Sequence, residues 1–390
     1  MITDASSLHC QGVLAHQAGR WTEAVESIRK AIALRADAPA YHFNLALALH
    51  ELDRYEETAE AARASLRLSP NFAPAHYMLG LALKDLGRLD EAIAAYQAAS
   101  AREPDFAEAH YGEAHARLLA GDFTAGWEKF EWRRKLVPQR VSYPQPQWRG
   151  EDIAGRTLLI HAEQGLGDTL QFVRYAPLIA GEVILEVQPS LVRFLSGLPG
   201  IEQVIGFGEK LPPFDLQCPM MSLPLAIGPA IPPQLPYPKA DRSPKIGIAW
   251  RGNPQHIDDR RRSVTAEMMA RCFDGTGVSL VCLQKDRTVE ELAAFPGIEV
   301  PAFGDFSDTA ALVSTLDLVV SVDTAILHLA GTLNVPALAM LSFAPDWRWR
   351  LGREDSDWYP SLRLIRQETP GDWETVIGKV KKEIGERRTT

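Results

Sequence analysis

Pro70, Pro104 and Pro138 stand 34 residues apart, and one period upstream of them is Ala36. No other feature constrains the fold as strongly, because a unit of that length cannot bury its apolar face alone and has to stack on copies of itself. Other places recur with the same period. Gly12, Ala46, Gly80 and Ala114 share one small-residue place, and Ala24, Thr58, Ala92 and Gly126 share a second. Trp21, Tyr55, Leu89 and Phe123 occupy an apolar or aromatic place between them. A third small place holds Ala31, Ser65 and Ala99, and Arg133 breaks it in the last copy. The units are therefore 5–38, 39–72, 73–106 and 107–140.

A 34-residue period with small residues at these places resembles the tetratricopeptide repeat. The resemblance implies an all-α superhelix in which each unit is two antiparallel helices, brought close by the small residues. The proline follows the second helix, which it cannot extend. The fourth copy, GDFTAGWEKFEWRRK, drifts toward aromatic and basic residues. It reads either as a solvent-facing cap or as a face that packs on the next domain through Trp127, Phe130 or Trp132, and the aromatic content favours the second.

Four repeats use little more than a third of 390 residues, so further domains must follow. With 46% hydrophobic and 23% charged residues the chain has ample material for cores, and disorder is excluded as a description of the whole. A net charge of -9 argues against a dedicated nucleic-acid binder. Apolar runs are strand-length, so no membrane span is expected. The start MITDASSLHCQ lacks the basic and apolar segments of a signal peptide. Cys10, Cys218, Cys272 and Cys282 are scattered and form no CxxC pair, which reads as four reduced thiols in a cytoplasmic protein.

Beyond a linker rich in proline and tryptophan, strands are predicted at 157–162, 182–187, 202–207 and 214–219, with a glycine-rich turn opening a helix after the first. A second proline-rich stretch, 228–244, separates these from strands at 245–250, 278–284, 317–322, 335–341 and 362–366. Helices alternate with these strands, and the chain ends in a helix that is acidic early and basic late. The alternation means parallel sheets. The domains are 1–140 (repeats), 141–240 (first Rossmann-like domain with linker), 241–366 (second Rossmann-like domain) and 367–390 (C-terminal helix). Ligands favour the carboxyl ends of such strands and the cleft between two such domains.

Three stretches carry candidate chemistry. In DLVVSVDTAILHLAGTL, Asp323 ends a strand, Thr324 opens a helix whose N-terminus suits a phosphate, and His328 lies one turn along the same face. The bland alternative is a helix cap and a core histidine. In AWRGNPQHIDDRRRS, Arg251, His256, Arg260, Arg261 and Arg262 cluster at a strand end, and arginine forks suit a diphosphate. The pair Asp258–Asp259 is read as ion-paired with those arginines rather than as metal ligands. In EQGLGDTLQF, Gly165 and Gly167 do not complete a dinucleotide fingerprint, and no P-loop lysine follows. Asp168 is there either a helix cap or a general base at the cleft, with Glu163 as the alternative base.

Taken together, the GLGD turn, the A-W-x-G-N segment and S-V-D-T-x-x-x-H-L-A-G resemble a glycosyltransferase of the GT-B fold, closest to the heptosyltransferase-like group, over 157 to about 367. Fusion to tetratricopeptide repeats is similar to the O-GlcNAc transferases and many bacterial relatives. The resemblance implies two Rossmann-like domains facing a cleft, the second holding a nucleotide sugar and the first meeting the acceptor. It implies Asp168, or Glu163, as catalytic base, with Gly165 and Gly167 forming the loop at the cleft. The donor would lie on Arg251, Asn253, His256, Gln284, Asp323, Thr324 and His328. Ala325 stands where heptosyltransferases have glycine, and the first domain is short for the fold. The expected activity is sugar transfer from a nucleotide-diphosphate donor to a glycan or protein acceptor that the repeats help recruit, with inversion, no metal and no further cofactor. The alternatives are a repeat-based interaction protein with a degenerate α/β half, and an epimerase or nucleotide-sugar hydrolase on the same scaffold.

Overall fold

A computed structural model describes residues 4–136, 140–235, 243–256 and 258–387. Pro138 and the middle of the 228–244 stretch lie outside the described residues. The chain divides into two compact units, Met1–Pro138 and Gln139–Thr390.

The first unit is all helical. Helix pairs α1 (Ala5–Gln17) and α2 (Trp21–Leu34), α3 (Pro39–Glu51) and α4 (Tyr55–Leu68), α5 (Ala73–Asp85) and α6 (Leu89–Arg102), and α7 (Ala107–Ala120) and α8 (Phe123–Phe130) keep the sequence period. The recurrent apolar or aromatic place is the first residue of each second helix. The small places lie where helices touch: a Cβ on Gly12 would come within 2.4 Å of Ile28, and one on Gly80 within 2.7 Å of the Tyr96 ring. Ala31, Ser65 and Ala99 are fully buried, and Arg133, which breaks that place, is itself 1% exposed. In the fourth copy Trp127 meets Phe130 edge to face at 5.4 Å, Phe130 lies against Tyr111, and Trp132 stacks on His110 at 3.8 Å. All three rings thus have partners inside the repeat unit.

The second unit is α/β and contains two parallel sheets. Strands β1 (Thr157–His161), β2 (Glu182–Val187), β3 (Gln203–Gly206) and β4 (Leu216–Pro219) form the first, in the order β3-β2-β1-β4. Strands β5 (Ser243–Ala249), β6 (Ser279–Cys282), β7 (Leu316–Val322), β8 (Ala337–Leu341) and β9 (Leu362–Arg366) form the second, in the order β6-β5-β7-β8-β9. Every pairing between these strands is parallel. The apolar runs read from the sequence are the strand cores, because a strand covered on both faces has no polar side to show. The C-terminal helix Trp373–Arg387 belongs to the core of the second sheet: Trp373, Val376, Ile377, Val380 and Ile384 pack with Ile246, Val320, Leu338 and Ile365. Among the described residues no helix is long and apolar enough to cross a membrane. All four cysteines are free, and Cys10 alone is exposed.

Candidate functional site

The turn after β1 passes Glu163 and enters the helix Leu166–Phe172. Gly165 is its N-cap, and the Asp168 carboxylate reaches back to accept the Gly165 N–H at 2.9 Å. A carboxylate in the first turn suits the positive end of a helix. The other Asp168 oxygen accepts a hydrogen bond from Nη2 of Arg348. Glu163 turns to the far side, where Oε2 accepts the Met221 N–H at 3.2 Å beyond β4. Gly167 has no positive φ, so its backbone does not demand glycine. What demands it is proximity: a Cβ there would lie 2.7 Å from His328 Cδ2.

His328 belongs to the helix Ala325–Thr332, which follows β7 and packs against the helix Leu166–Phe172. Thr324 is the N-cap but does not bond its own helix; its hydroxyl lies 3.0 Å from that of Ser321. The first N–H groups of this helix therefore receive no side-chain cap from it. Asp323 accepts the Trp349 indole N–H at 2.8 Å through Oδ2, and its Oδ1 lies 4.0 Å from His328 Nε2. Burial, with the neighbouring Asp346 carboxylate, pushes the Asp323 carboxyl up to about 6. His328 is 6% exposed and its Nδ1 lies 2.9 Å from the Tyr359 hydroxyl. Burial and then the Arg348 cation push the imidazole down to about 3, so it is neutral at pH 7.

At the end of β5 the structure separates the sequence candidates. Arg251 makes a bidentate pair with Glu291, at 2.9 and 3.2 Å. The Gln284 side chain accepts the N–H groups of Trp250 and Arg251, both at 3.1 Å. These two residues fasten the ends of β5 and β6 to each other and to the Glu291 helix. Asn253 closes a turn of its exposed loop by accepting the Gln255 N–H at 3.0 Å. His256 accepts the Asp258 N–H at 3.1 Å through Nδ1. Partial burial and Arg262 lower its pKa against the opposing pull of Asp258, Asp346 and Asp168, which places the ring within electrostatic reach of the Asp168 turn.

Arg262 lies at the same strand end. Its Nη2 would lie 2.7 Å from a Cβ on Gly252, so it crosses the strand end closely. Its Nε is buried, 3.6 Å from Asp259 and without a hydrogen bond among the described residues. Its charge acts on Asp323, His256 and His328.

Four further participants come from downstream of β8. Arg348 is nearly fully buried and donates to Asp168, to Gln171 and, at 2.9 Å, to Asp346. Burial lowers its affinity for a proton, but Asp346 and Asp168 more than offset that. Asp346, Trp349 and Tyr359 complete the group. The sequence signal for most of it is the run DWRWR at 346–350, where tryptophan and arginine alternate behind an acid. Asp168 and Asp323 are thus drawn together by Arg348, with His328 beside Asp323 and the charge of Arg262 felt by Asp323, His256 and His328, and Thr324 follows Asp323 at the helix start, whereas Glu163, Arg251, Asn253 and Gln284 make local contacts. A shallow depression lined by Gln145, Gln203, Lys210 and Phe214 lies elsewhere, near the amino ends of β3 and β4.

Residues 268–357 match the family described as glycosyltransferase family 9 (heptosyltransferase), and 14–53, 39–72 and 77–131 match tetratricopeptide repeat families. The chain joins tetratricopeptide repeats to a glycosyltransferase family 9 domain. The matched stretch holds Asp323, Thr324, His328, Asp346, Arg348 and Trp349, while Asp168, Arg262 and Tyr359 lie outside it. Protein FlbA of Caulobacter vibrioides is 28% identical over 316 residues, 67% of this chain and 52% of that protein. The chain thus spans about half the length of this curated relative. Among solved structures, a crystal structure of MamA is 23% identical over 34% of this chain and 78% of its own, with a TM-score of 0.33. The Arabidopsis OM64 TPR domain is 25% identical over 29% of this chain and 93% of its own, with a TM-score of 0.29.

Proposed function

We propose that the α/β unit is a glycosyltransferase of the GT-B type that moves a sugar from a nucleotide-diphosphate donor to an acceptor, with inversion and without a metal. The observation that carries this reading is the meeting of two strand-end turns: Gly167 against His328, with Arg348 joining Asp168 to the Asp323 side. Two carboxylate-bearing turns at the carboxyl ends of separate parallel sheets are what a donor and an acceptor need if they are to face each other.

In this reading Asp168 takes the acceptor proton. A carboxylate has about four lone-pair sites, and Gly165 and Arg348 occupy two of those on Asp168, leaving capacity for an acceptor hydroxyl. As that oxygen attacks the anomeric carbon, the bond to the donor diphosphate breaks and negative charge builds on the leaving group. Arg262 and the N-terminus of the helix Ala325–Thr332 stabilise that charge, with Thr324 beside it. Arg262 replaces Arg251 in this role because Arg251 is already bound at both prongs to Glu291. Asp323 and His328 serve as polar contacts to the donor. The repeats bind the acceptor or a protein that delivers it, and the whole acts in the cytoplasm.

The test is a thermal-shift panel of UDP, GDP, ADP and CMP on the full chain, followed by calorimetry with the best of them. One nucleotide should raise the midpoint by mass action, and Thr324→Val should weaken it without lowering the midpoint of the free protein. Four nucleotides without any shift would remove the donor site, and with it the transferase reading.

A further inference from the structure

Three elements meet at the buried His328 imidazole. Gly167 lies over its Cδ2–Nε2 edge, Asp323 faces Nε2, and Tyr359, 31 residues downstream, faces Nδ1. Tyr359 is fully buried. Its ring presses on the helix of His328, where a Cβ on Gly331 would come within 2.3 Å of Tyr359 Cγ. The Trp349 ring flanks it at 6.4 Å.

A neutral imidazole carries one proton, and its two nitrogens then play opposite roles. Two observations decide which nitrogen holds it. The Arg174 guanidinium, almost wholly buried, lies 5.0 Å from the Tyr359 ring centroid. It, Arg348 and the Thr332 hydroxyl beside the phenol oxygen pull the phenol toward ionisation, against a larger effect of burial, so all three act as donors or cations toward that oxygen. Cations turn the lone pairs of the phenol oxygen toward themselves, which leaves its hydrogen for the acceptor 2.9 Å away, His328 Nδ1. On the other edge, the Asp323 carboxylate 4.0 Å from Nε2 favours an N–H there over a lone pair. Both choices select the same tautomer.

We propose that Tyr359 is a positioning residue: by donating to His328 Nδ1 it holds the imidazole as the Nε2–H tautomer, an uncharged hydrogen-bond donor to an oxygen of the bound nucleotide sugar. The identity of that ligand rests on the function proposed above; the tautomer does not. An uncharged donor suits this place, since a third cation beside Arg348 and Arg262 would be costly in a site so little exposed to water. Gly167 belongs to the same device, because Nε2 lies 3.4 Å from the position of the Cβ that glycine lacks.

Tyr359→Phe removes the hydroxyl and keeps the ring that packs on Gly331 and Trp349. The full chain, labelled with ¹⁵N-histidine, is compared with this variant by long-range imidazole correlation at pH 7, His328 being assigned by its loss in His328→Gln. Wild type should show the Nε2–H pattern at His328, and Tyr359→Phe a mixture of tautomers. Calorimetric affinity for the best of UDP, GDP, ADP and CMP should fall about 2–12-fold, the range for one hydrogen bond. In a His328→Ala background the same change should have no further effect, which a merely structural role for Tyr359 would not produce. An Nδ1–H or doubly protonated His328 in wild type, or nitrogen shifts unaltered by Tyr359→Phe, would overturn the proposal. Failure of all four nucleotides to bind would refute the donor reading alone, with the nitrogen shifts still deciding the tautomer.

Discussion

Gly167→Ala probes the contact on which the candidate site is built. The added Cβ would sit 2.7 Å from His328 Cδ2 and 3.4 Å from Nε2. Carbon atoms pack best at about 3.5–4.0 Å, so the imidazole or the helix Leu166–Phe172 must give way by about 1 Å. The imidazole is tied to Tyr359 at 2.9 Å and lies against the Trp349 ring, so it has little room to move. Overpacking of this kind costs about 1–3 kcal/mol. Alanine is worth about 1 kcal/mol over glycine within a helix, which leaves a net loss near 1 kcal/mol and a fall in Tm of about 2–4 °C. The assay is thermal and urea unfolding of four proteins: wild type, Gly167→Ala, His328→Ala and the double variant. With the imidazole gone the clash disappears, so Gly167→Ala should be neutral or stabilising in the His328→Ala background. Equal costs in the two backgrounds, additive within about 0.5 kcal/mol, would refute the claim that these two turns touch through this pair.

Three other outcomes follow from the same geometry. Asp168→Asn keeps the shape at the helix start and should lower turnover about 10²–10⁴-fold with nucleotide affinity retained; full turnover in it alongside a dead Glu163→Gln would transfer the role to Glu163. Arg262→Ala should weaken nucleoside diphosphates with little change in stability, whereas Arg251→Ala should lower stability by removing the bidentate pair with Glu291, which keeps only the Trp250 indole and the Thr288 N–H, and should leave affinity nearly intact; calorimetry beside unfolding curves would expose the reverse pattern. For Asp323, the folded-state carboxyl is raised from 3.8 to about 6, so the folded protein holds a proton that the unfolded chain has lost across that window. Wild type should therefore lose stability relative to Asp323→Asn as pH rises from about 4 to about 6 and run parallel to it above; a wild type that gains stability on Asp323→Asn over that range would show the sign to be wrong.

The repeat and the strand-end turns are legible in the sequence because their causes are local. A small residue every 34 positions marks where neighbouring helices touch, and α1, α3, α5 and α7 begin 34 residues apart at Ala5, Pro39, Ala73 and Ala107. Short apolar runs between turn residues mark strands buried on both faces, which is why the nine strands among the described residues lie within a few residues of the bounds read from the sequence. Asp168 at a helix start and Asp323 at a strand end follow from chain-neighbour chemistry alone. What an arginine does follows from no such rule, because its long side chain pairs with whichever carboxylate the fold brings near. Arg251 found Glu291, 40 residues on, while the charge of Arg262 acts on Asp323. Arg348 found Asp168 180 residues back. Gly167, which reads as a turn residue, is required by an imidazole 161 positions away, and Tyr359 reads as an ordinary core aromatic until His328 is seen against its hydroxyl. Backbone periodicity is written in near neighbours, whereas the partner of a buried charge or ring nitrogen is chosen only when distant strands close into one unit.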